Sequence, residues 1–179
     1  MKLIGKDNLW LKKIEKSDFN TLYTWRNDTV FLDNCSYRNK VRNKKEFIAE
    51  LEIDFETDRH LQAIIFKIEE PIGTIFSYNY NADDKYCFVT TFVHGERKSL
   101  GYGLKAFILF CKYHFDNFKL FKIYADVYEF NKNSLNLFLK KKIPLEGVFK
   151  QQKVFKNKRY DVYRFALYIE HIDELLKYV

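Results

Sequence analysis

Apolar positions recur along this chain in two rhythms, and the places where one gives way to the other divide it into elements. Leu9 to Ile14 reads as a strand, and the sequence then changes step to Phe19, Leu22 and Tyr23 at i, i+3 and i+4, an amphipathic helix for which Ser17 is a suitable cap. Asn43 followed three residues later by Glu46 has the form of a capping box, and Phe47, Ile48, Leu51 and Phe55 give the helix behind it an apolar side. Three extended runs come next, LQAIIFKI, IGTIFSYNY and KYCFVTTFV. They are separated by EEP and NADD, whose Pro, Asn and Asp suit hairpin turns, so the three are expected as antiparallel neighbours.

The period of 3.6 returns at Leu104, Phe107, Ile108, Cys111 and Phe115, one helical face. KIYADVYE is the next strand, Leu135, Phe138 and Leu139 mark another helix, and VFKQQKVF and YDVYRFALYI close the chain as an antiparallel pair before a short helical tail at Leu175 and Leu176. The expected fold is α+β, a mixed and mostly antiparallel central sheet of about seven strands flanked by helices, in one domain over residues 1–179.

Composition supports a single packed unit. The chain has 179 residues, 47% of them hydrophobic and 18% aromatic, enough apolar area for one substantial core, and its two prolines do not mark a linker. The amino terminus lacks an apolar run long enough for a signal peptide, and no window approaches a membrane span, so a cytoplasmic protein without membrane attachment is expected. Cys35, Cys87 and Cys111 are odd in number and widely spaced; they suit reduced thiols, two of them buried, better than a disulfide framework or a metal site, and no metal is expected. The net charge of +7 favours an anionic partner: nucleic acid, an acidic surface or a phosphate-bearing small molecule.

The candidate chemistry lies where glycine is concentrated. FVHGERKSLGYGLKAF, residues 92–107, holds three of the six glycines, Gly95, Gly101 and Gly103. A strand that passes through such a turn into a helix gathers backbone N–H groups and the positive end of a helix dipole at one point, which suits a phosphate. A tight turn needing positive φ would use the same glycines. The spacing fits neither the Walker loop nor the dinucleotide fingerprint.

The stretch FVHGERKSLGYGLKA resembles the pyrophosphate loop of the GNAT superfamily of N-acetyltransferases, Arg/Gln-x-x-Gly-x-Gly/Ala, with Lys98, Gly101 and Gly103 at the patterned positions. LKKIEKSDFNTLYTWRND is similar to the opening of the branch that includes ribosomal-protein-alanine and spermidine acetyltransferases, VYEFNKNSLNLFLKKKIPLEGVF to its Asn-x-x-Ser helix, and RYDVYRFALY to its last strand. Lys98 stands where the family has Arg or Gln, Gly95 where proline is common, and Phe138 where many members carry a proton-donating tyrosine.

The resemblance implies acetyl-CoA as donor cosubstrate, with its pyrophosphate on the backbone of Lys98, Ser99, Leu100, Gly101, Tyr102 and Gly103, its carbonyl near the backbone N–H groups of Phe92 and Val93, and its pantetheine near Asn131. Ser134 becomes the candidate proton donor to the thiolate; it would equally serve as a helix-start serine, and Asn131 as a cap. Glu69, Glu70, Glu96, Glu129 and His94 are candidate bases that no spacing separates. The implied reaction is direct attack by a primary amine, on an amino sugar or polyamine, with a protein amino terminus as the alternative and a monomer or homodimer as the acting species. The region around Trp25 to Lys45 and the last strands would select the acceptor. The acidic run Glu50, Glu52, Asp54, Glu56 and Asp58 would draw a polyamine, or forms a solvated helix face. Two other readings compete: a basic RNA-binding module over Lys140 to Arg159 with Phe149, Phe155 and Tyr160, for which no recognition pattern is present, and an acetyl-CoA-binding protein without catalysis, suggested by Phe138.

Overall fold

The computed structural model describes residues 1–36, 40–57, 60–95 and 101–179. Eight strands, β1 (Lys2–Lys6), β2 (Leu9–Lys13), β3 (Gln62–Lys67), β4 (Glu70–Asn81), β5 (Tyr86–Val93), β6 (Lys122–Tyr128), β7 (Leu145–Phe155) and β8 (Lys158–Tyr168), form one sheet in the order β1-β2-β3-β4-β5-β6-β8-β7. The helices are α1 (Phe19–Arg26), α2 (Thr29–Asn34), α3 (Lys44–Thr57), α4 (Tyr102–Phe118), α5 (Lys132–Lys140) and α6 (Ile169–Leu175). The fold is α+β with a mixed, mostly antiparallel sheet, as expected, but with eight strands in place of seven. The added strand is β1, a five-residue edge with a lysine at each end, which pairs antiparallel with β2. Lysines on a short edge strand discourage pairing with other chains and also hide the strand's periodicity.

One local expectation changes and another is met. Ser17 is exposed and caps nothing; it lies within a short 3-10 turn, Lys16–Asp18, where the Glu15 amide donates to Asp18 Oδ2 at 2.8 Å. A carboxylate three residues ahead reaches that amide, whereas Ser17 sits inside the turn itself. At α3, Asn43 Oδ1 accepts from the amides of Lys45 at 2.9 Å and Glu46 at 3.3 Å, so Asn43 caps this helix as its sequence suggests.

All neighbouring strands run antiparallel except β5 and β6, which are parallel and joined by α4 as a crossover. The helices divide the core between the two sheet faces. On one face Leu104, Phe107, Ile108, Cys111 and Phe115 of α4 pack against Ile65, Ile75 and Val89, joined by Leu135 and Phe138 of α5 and Ile172 and Leu175 of α6. On the other, Phe19, Leu22 and Trp25 of α1, Phe31 of α2, and Phe47 and Leu51 of α3 close over Ile64 and Phe92. Each such side chain contributes about 1.5–3 kcal/mol by leaving water, which holds α4 and α1 rigidly on opposite sides of β5. Among the described residues, no helix is long and apolar enough to cross a membrane. The three cysteines are free, with Cys87 and Cys111 buried, and burial pushes the Cys35 and Cys87 thiols up to about 12, so both stay protonated and unreactive.

Candidate active site

β5 and β6 share only three register positions, from Tyr86↔Lys122 to Phe88↔Tyr124. Beyond them β5 stays with β4 as far as Val93, while β6 continues with β8 from Ala125 to Tyr128. The sheet therefore opens at its centre into a cleft of about 1270 Å³, with Val89, Thr90 and Thr91 on one wall and Ala125, Val127 and Tyr128 on the other. Gly73 holds the first wall in place. Its strand shifts register against β3 beside it, and a Cβ on Gly73 would lie 2.1 Å from the Phe92 carbonyl oxygen and 2.9 Å from Val93 Cα. Only glycine lets β4 and β5 approach this closely.

Strand alternation decides which backbone groups face the opening. The His94 amide donates to Ile72 O at 2.8 Å, toward β4, so the amides of Phe92 and Thr90 also turn to β4 and those of Val93 and Thr91 turn to the parted side. Of the two residues expected to offer amides to the cleft, Val93 turns its amide to the parted side and Phe92 turns its own to its sheet partner. The Thr91 hydroxyl is buried without a hydrogen bond among the described residues, and its Cγ2 would be 3.9 Å from a Cβ on Gly103.

Gly101 lies at the start of α4 with φ +77°, a left-handed conformation that suits glycine, and its carbonyl accepts from the Lys105 amide at 3.2 Å as the first helical turn. Gly101 and Gly103 both line the cleft, and a Cβ on Gly101 would meet nothing within 4 Å, so its glycine serves backbone conformation and leaves the helix start open. Tyr102 is half-buried against Lys67, whose Nζ is 5.5 Å from the ring centre. Lys98, Ser99 and Leu100 lie outside the described residues, as does Glu96 among the candidate bases.

Across the cleft, Asn131 caps α5, its Oδ1 accepting from the Ser134 amide at 3.3 Å. Asn131 and Ser134 both line the opening, and the Ser134 hydroxyl makes no hydrogen bond among the described residues. Phe138, one helical turn further, also lines it, its ring 5.4 Å from Phe107 and 5.1 Å from Phe165. The structure thus gathers Gly101, Gly103, Asn131 and Ser134 around one opening, with Val93 beside Gly103.

None of Glu69, Glu70, Glu129 and His94 lines the cleft. Glu69 and Glu70 are exposed at the β3–β4 turn, Glu129 accepts from the Asp161 amide at 3.1 Å, and His94 faces Asp28 at 3.3 Å. Of the acidic run, Glu50 and Asp54 do line it, with His60 beside them; Glu52 is exposed, and Asp58 and the Glu56 side chain lie outside the description. Glu50 is paired with Arg42.

Beyond β5 the cleft wall includes Arg26, held by the corner Trp25-Arg26-Asn27-Asp28. Trp25 is buried against Phe92, Asn27 Oδ1 accepts from the Arg42 amide at 2.8 Å, and Asp28 caps α2 by accepting from the Val30 amide at 2.7 Å. These contacts fix Arg26, whose Nη2 donates to Ser36 Oγ at 3.1 Å, while Nη1 is buried without a hydrogen-bond partner among the described residues. Burial, then the neighbouring Arg42 guanidinium, lowers the pKa of Arg26. Cys35 Sγ donates to Thr91 O at 3.5 Å, tying α2 to the parted edge of β5.

Lys153 reaches the same wall from β7: it is 6% exposed, its Nζ donates to Ser36 O at 3.0 Å, and burial lowers its pKa. In the sequence Lys153 is one cation of the basic segment Lys140 to Arg159, with no sign of an inward face. The structure inverts that phase because the β7–β8 register shifts between Phe149 and Lys153, with Gln151 at φ +52°, so Lys153 faces inward and Val154 is exposed. A non-glycine residue at positive φ leaves no strong sequence mark. For Arg26, the only available signal was a cation placed between the buried Trp25 and the Asn27-Asp28 corner.

Residues 8–141 match the Acetyltransferase (GNAT) domain family. No curated protein matches the sequence. Among solved structures, spermidine N-acetyltransferase from Vibrio cholerae in complex with CoA and spermine superposes with a TM-score of 0.84 at 15% identity, over 93% of this chain and 99% of that one. The dodecameric structure of spermidine N-acetyltransferase from Vibrio cholerae gives 0.80 at 15% identity, over 93% and 96%. A ribosomal-protein alpha-N-acetyltransferase in complex with coenzyme A gives 0.76 at 14% identity, over 95% and 99%. At these identities the likeness is one of fold.

Proposed function

Because the chain belongs to the GNAT acetyltransferase family and is thereby an acetyl-CoA-dependent acetyltransferase, we propose that it acetylates the primary amine of a small metabolite, an amino sugar or a polyamine, by direct attack on the thioester. The observation that carries this reading is the opening between β5 and β6 beside the start of α4. The opening fits acetyl-CoA: two strand edges that part from one another suit an amide-bearing chain, the buried Thr91 hydroxyl lacks a hydrogen bond among the described residues, and a helix start suits a diphosphate.

In this reading the amides of Thr91 and Val93 polarise the thioester carbonyl, each such donor being worth about 2.7–4 kcal/mol. The backbone from Lys98 to Gly103 receives the pyrophosphate, and Asn131, whose Oδ1 caps α5, offers its Nδ2 to the pantetheine. A bond forms between the amine nitrogen and the acetyl carbon as the carbon–sulfur bond breaks. The Ser134 hydroxyl supplies a proton to the departing sulfur, and the proton lost by the amine leaves toward Glu50, Asp54 or His60. An alkyl amine is only about one part in a thousand neutral at pH 7, so that group contributes by accepting a proton. The chain acts as a monomer or homodimer.

The RNA-binding reading shares some of its residues with internal contacts. Lys153 is buried, Lys150 pairs with Asp161 at 2.8 Å, and Phe155 stacks on Phe130 at 4.4 Å. Amine-dependent release of the CoA thiol, measured across amino sugars, polyamines and peptides, tests the proposal: turnover of a small amine supports it. Turnover only with peptide amino termini would assign the protein-acetylating alternative, and acetyl-CoA binding without turnover the inactive one.

A further inference from the structure

Two cations converge on Ser36 in the wall of the cleft: Arg26 through the serine hydroxyl at 3.1 Å and Lys153 through its carbonyl at 3.0 Å. They come from α1 and β7, at opposite ends of the chain, and each needed its own device to reach this point, the Trp25–Asp28 corner for one and the β7 register shift for the other. Among the described residues, Arg26 Nη1 is buried with no hydrogen-bond partner. The carboxylate that interacts with it, Glu50, is engaged by Arg42. Cys35, the residue before Ser36, is bonded to Thr91 O, so the two cations stand beside the β5 edge that borders the opening. Glu50 and Asp54 line the same cleft from α3, Glu50 being paired with Arg42, and Asp33 acts on Lys153 electrostatically.

A buried guanidinium N–H without an acceptor is costly, and carboxylate or phosphate oxygens are its strongest partners. We propose that Arg26 and Lys153 hold an anionic group of the acceptor, so that the preferred substrate is a primary amine carrying a carboxylate or a phosphate, and not a free polycation. Asp54, which also lines the cleft, then attracts the ammonium end while Arg26 and Lys153 fix the anionic end. The reaction is the acetyl transfer described above, with the same bonds formed and broken. This inference rests on that reading and narrows it.

Matched acceptors separate the two. Thiol release is measured with glucosamine 6-phosphate against glucosamine, with α-amino acids against their amides, and with spermidine, using the native protein, Arg26→Gln, Arg26→Lys and Lys153→Met, each checked for fold by circular dichroism and for acetyl-CoA affinity by calorimetry. The expected result is a kcat/KM at least about tenfold higher for the anionic member of one pair. Arg26→Gln and Lys153→Met should remove that preference through KM, Arg26→Lys should retain part of it, and acetyl-CoA affinity should not change. The sugar pair reports phosphate recognition and the amino-acid pair carboxylate recognition. If spermidine or the uncharged partners are preferred, or if folded Arg26→Gln and Lys153→Met both keep the KM of the anionic amine, the inference is overturned while acetyl transfer stands. If no amine is turned over, the acetyl-transfer reading fails and the inference with it.

Discussion

Ser134 and His114 illustrate two uses of a polar side chain in an apolar setting. Ser134 faces the cleft with an uncommitted hydroxyl, one turn before a phenylalanine that has no proton to give. Ser134→Ala should lower kcat by about tenfold or more with acetyl-CoA affinity unchanged, since general acid catalysis is worth about 10²- to 10⁴-fold. Phe138→Tyr should restore part of that loss, and single-turnover kinetics of both variants checks it. His114 is 2% exposed, and its Nδ1 donates to Phe110 O at 2.9 Å. Burial lowers its pKa from 6.5 to about 4. The unfolded chain therefore takes up this proton near pH 6.5 while the folded chain resists until about pH 4. The stability His114 supports is present above pH 6.5 and declines as pH falls toward 4, by on the order of 3 kcal/mol. Urea midpoints should fall between pH 7 and pH 5, and should fall less in His114→Gln, which keeps a donor for Phe110.

At the scale of the element, the sequence is legible where one face is continuously apolar and illegible where a bulge or a short edge resets the phase. α4 announces itself because five apolar residues at helical spacing are all buried, and β3, β4 and β5 because turn residues punctuate them. β1 and the six-residue α2 carry too few buried positions to register. Arg26 and Lys153 went unread for a related cause: their roles depend on a corner and on a register shift, and neither depends on composition. The Gly-rich turn and the Asn-x-x-Ser helix were legible as motifs, but the amide facing the cleft beside Val93 belongs to Thr91, a parity that only the β4–β5 register fixes. Gly73 belongs to the same scale. Gly73→Ala should push β5 outward at Phe92 and Val93, because the obstructing atoms are backbone, and on the far side of β5 only the open cleft resists. Both stability and kcat should fall, and kcat should fall further than the loss of folded protein explains, which thermal melting and active-site titration together would measure.

For the molecule as a whole, the two helical layers meet the sheet from opposite sides of β5, and the cleft passes between them where the sheet has no hydrogen bonds to close it. The protein's overall charge of +7 suits an anionic donor, while the lining of its cleft carries both signs. The parting of β5 from β6 also gives the central strand a fine grain in time. Interior strands normally protect every amide, since both edges are paired. Here the amides of Thr90 and Phe92 are turned to β4, and those of Thr91 and Val93 to the opening. In deuterated buffer the latter two should exchange with solvent faster than the residues on either side of them, a period-two pattern of fast and slow sites. Saturating acetyl-CoA should slow Thr91 and Val93 while leaving Thr90 and Phe92 as they were, and NMR-detected exchange that is uniform along the strand, with or without the ligand, would contradict the parting itself.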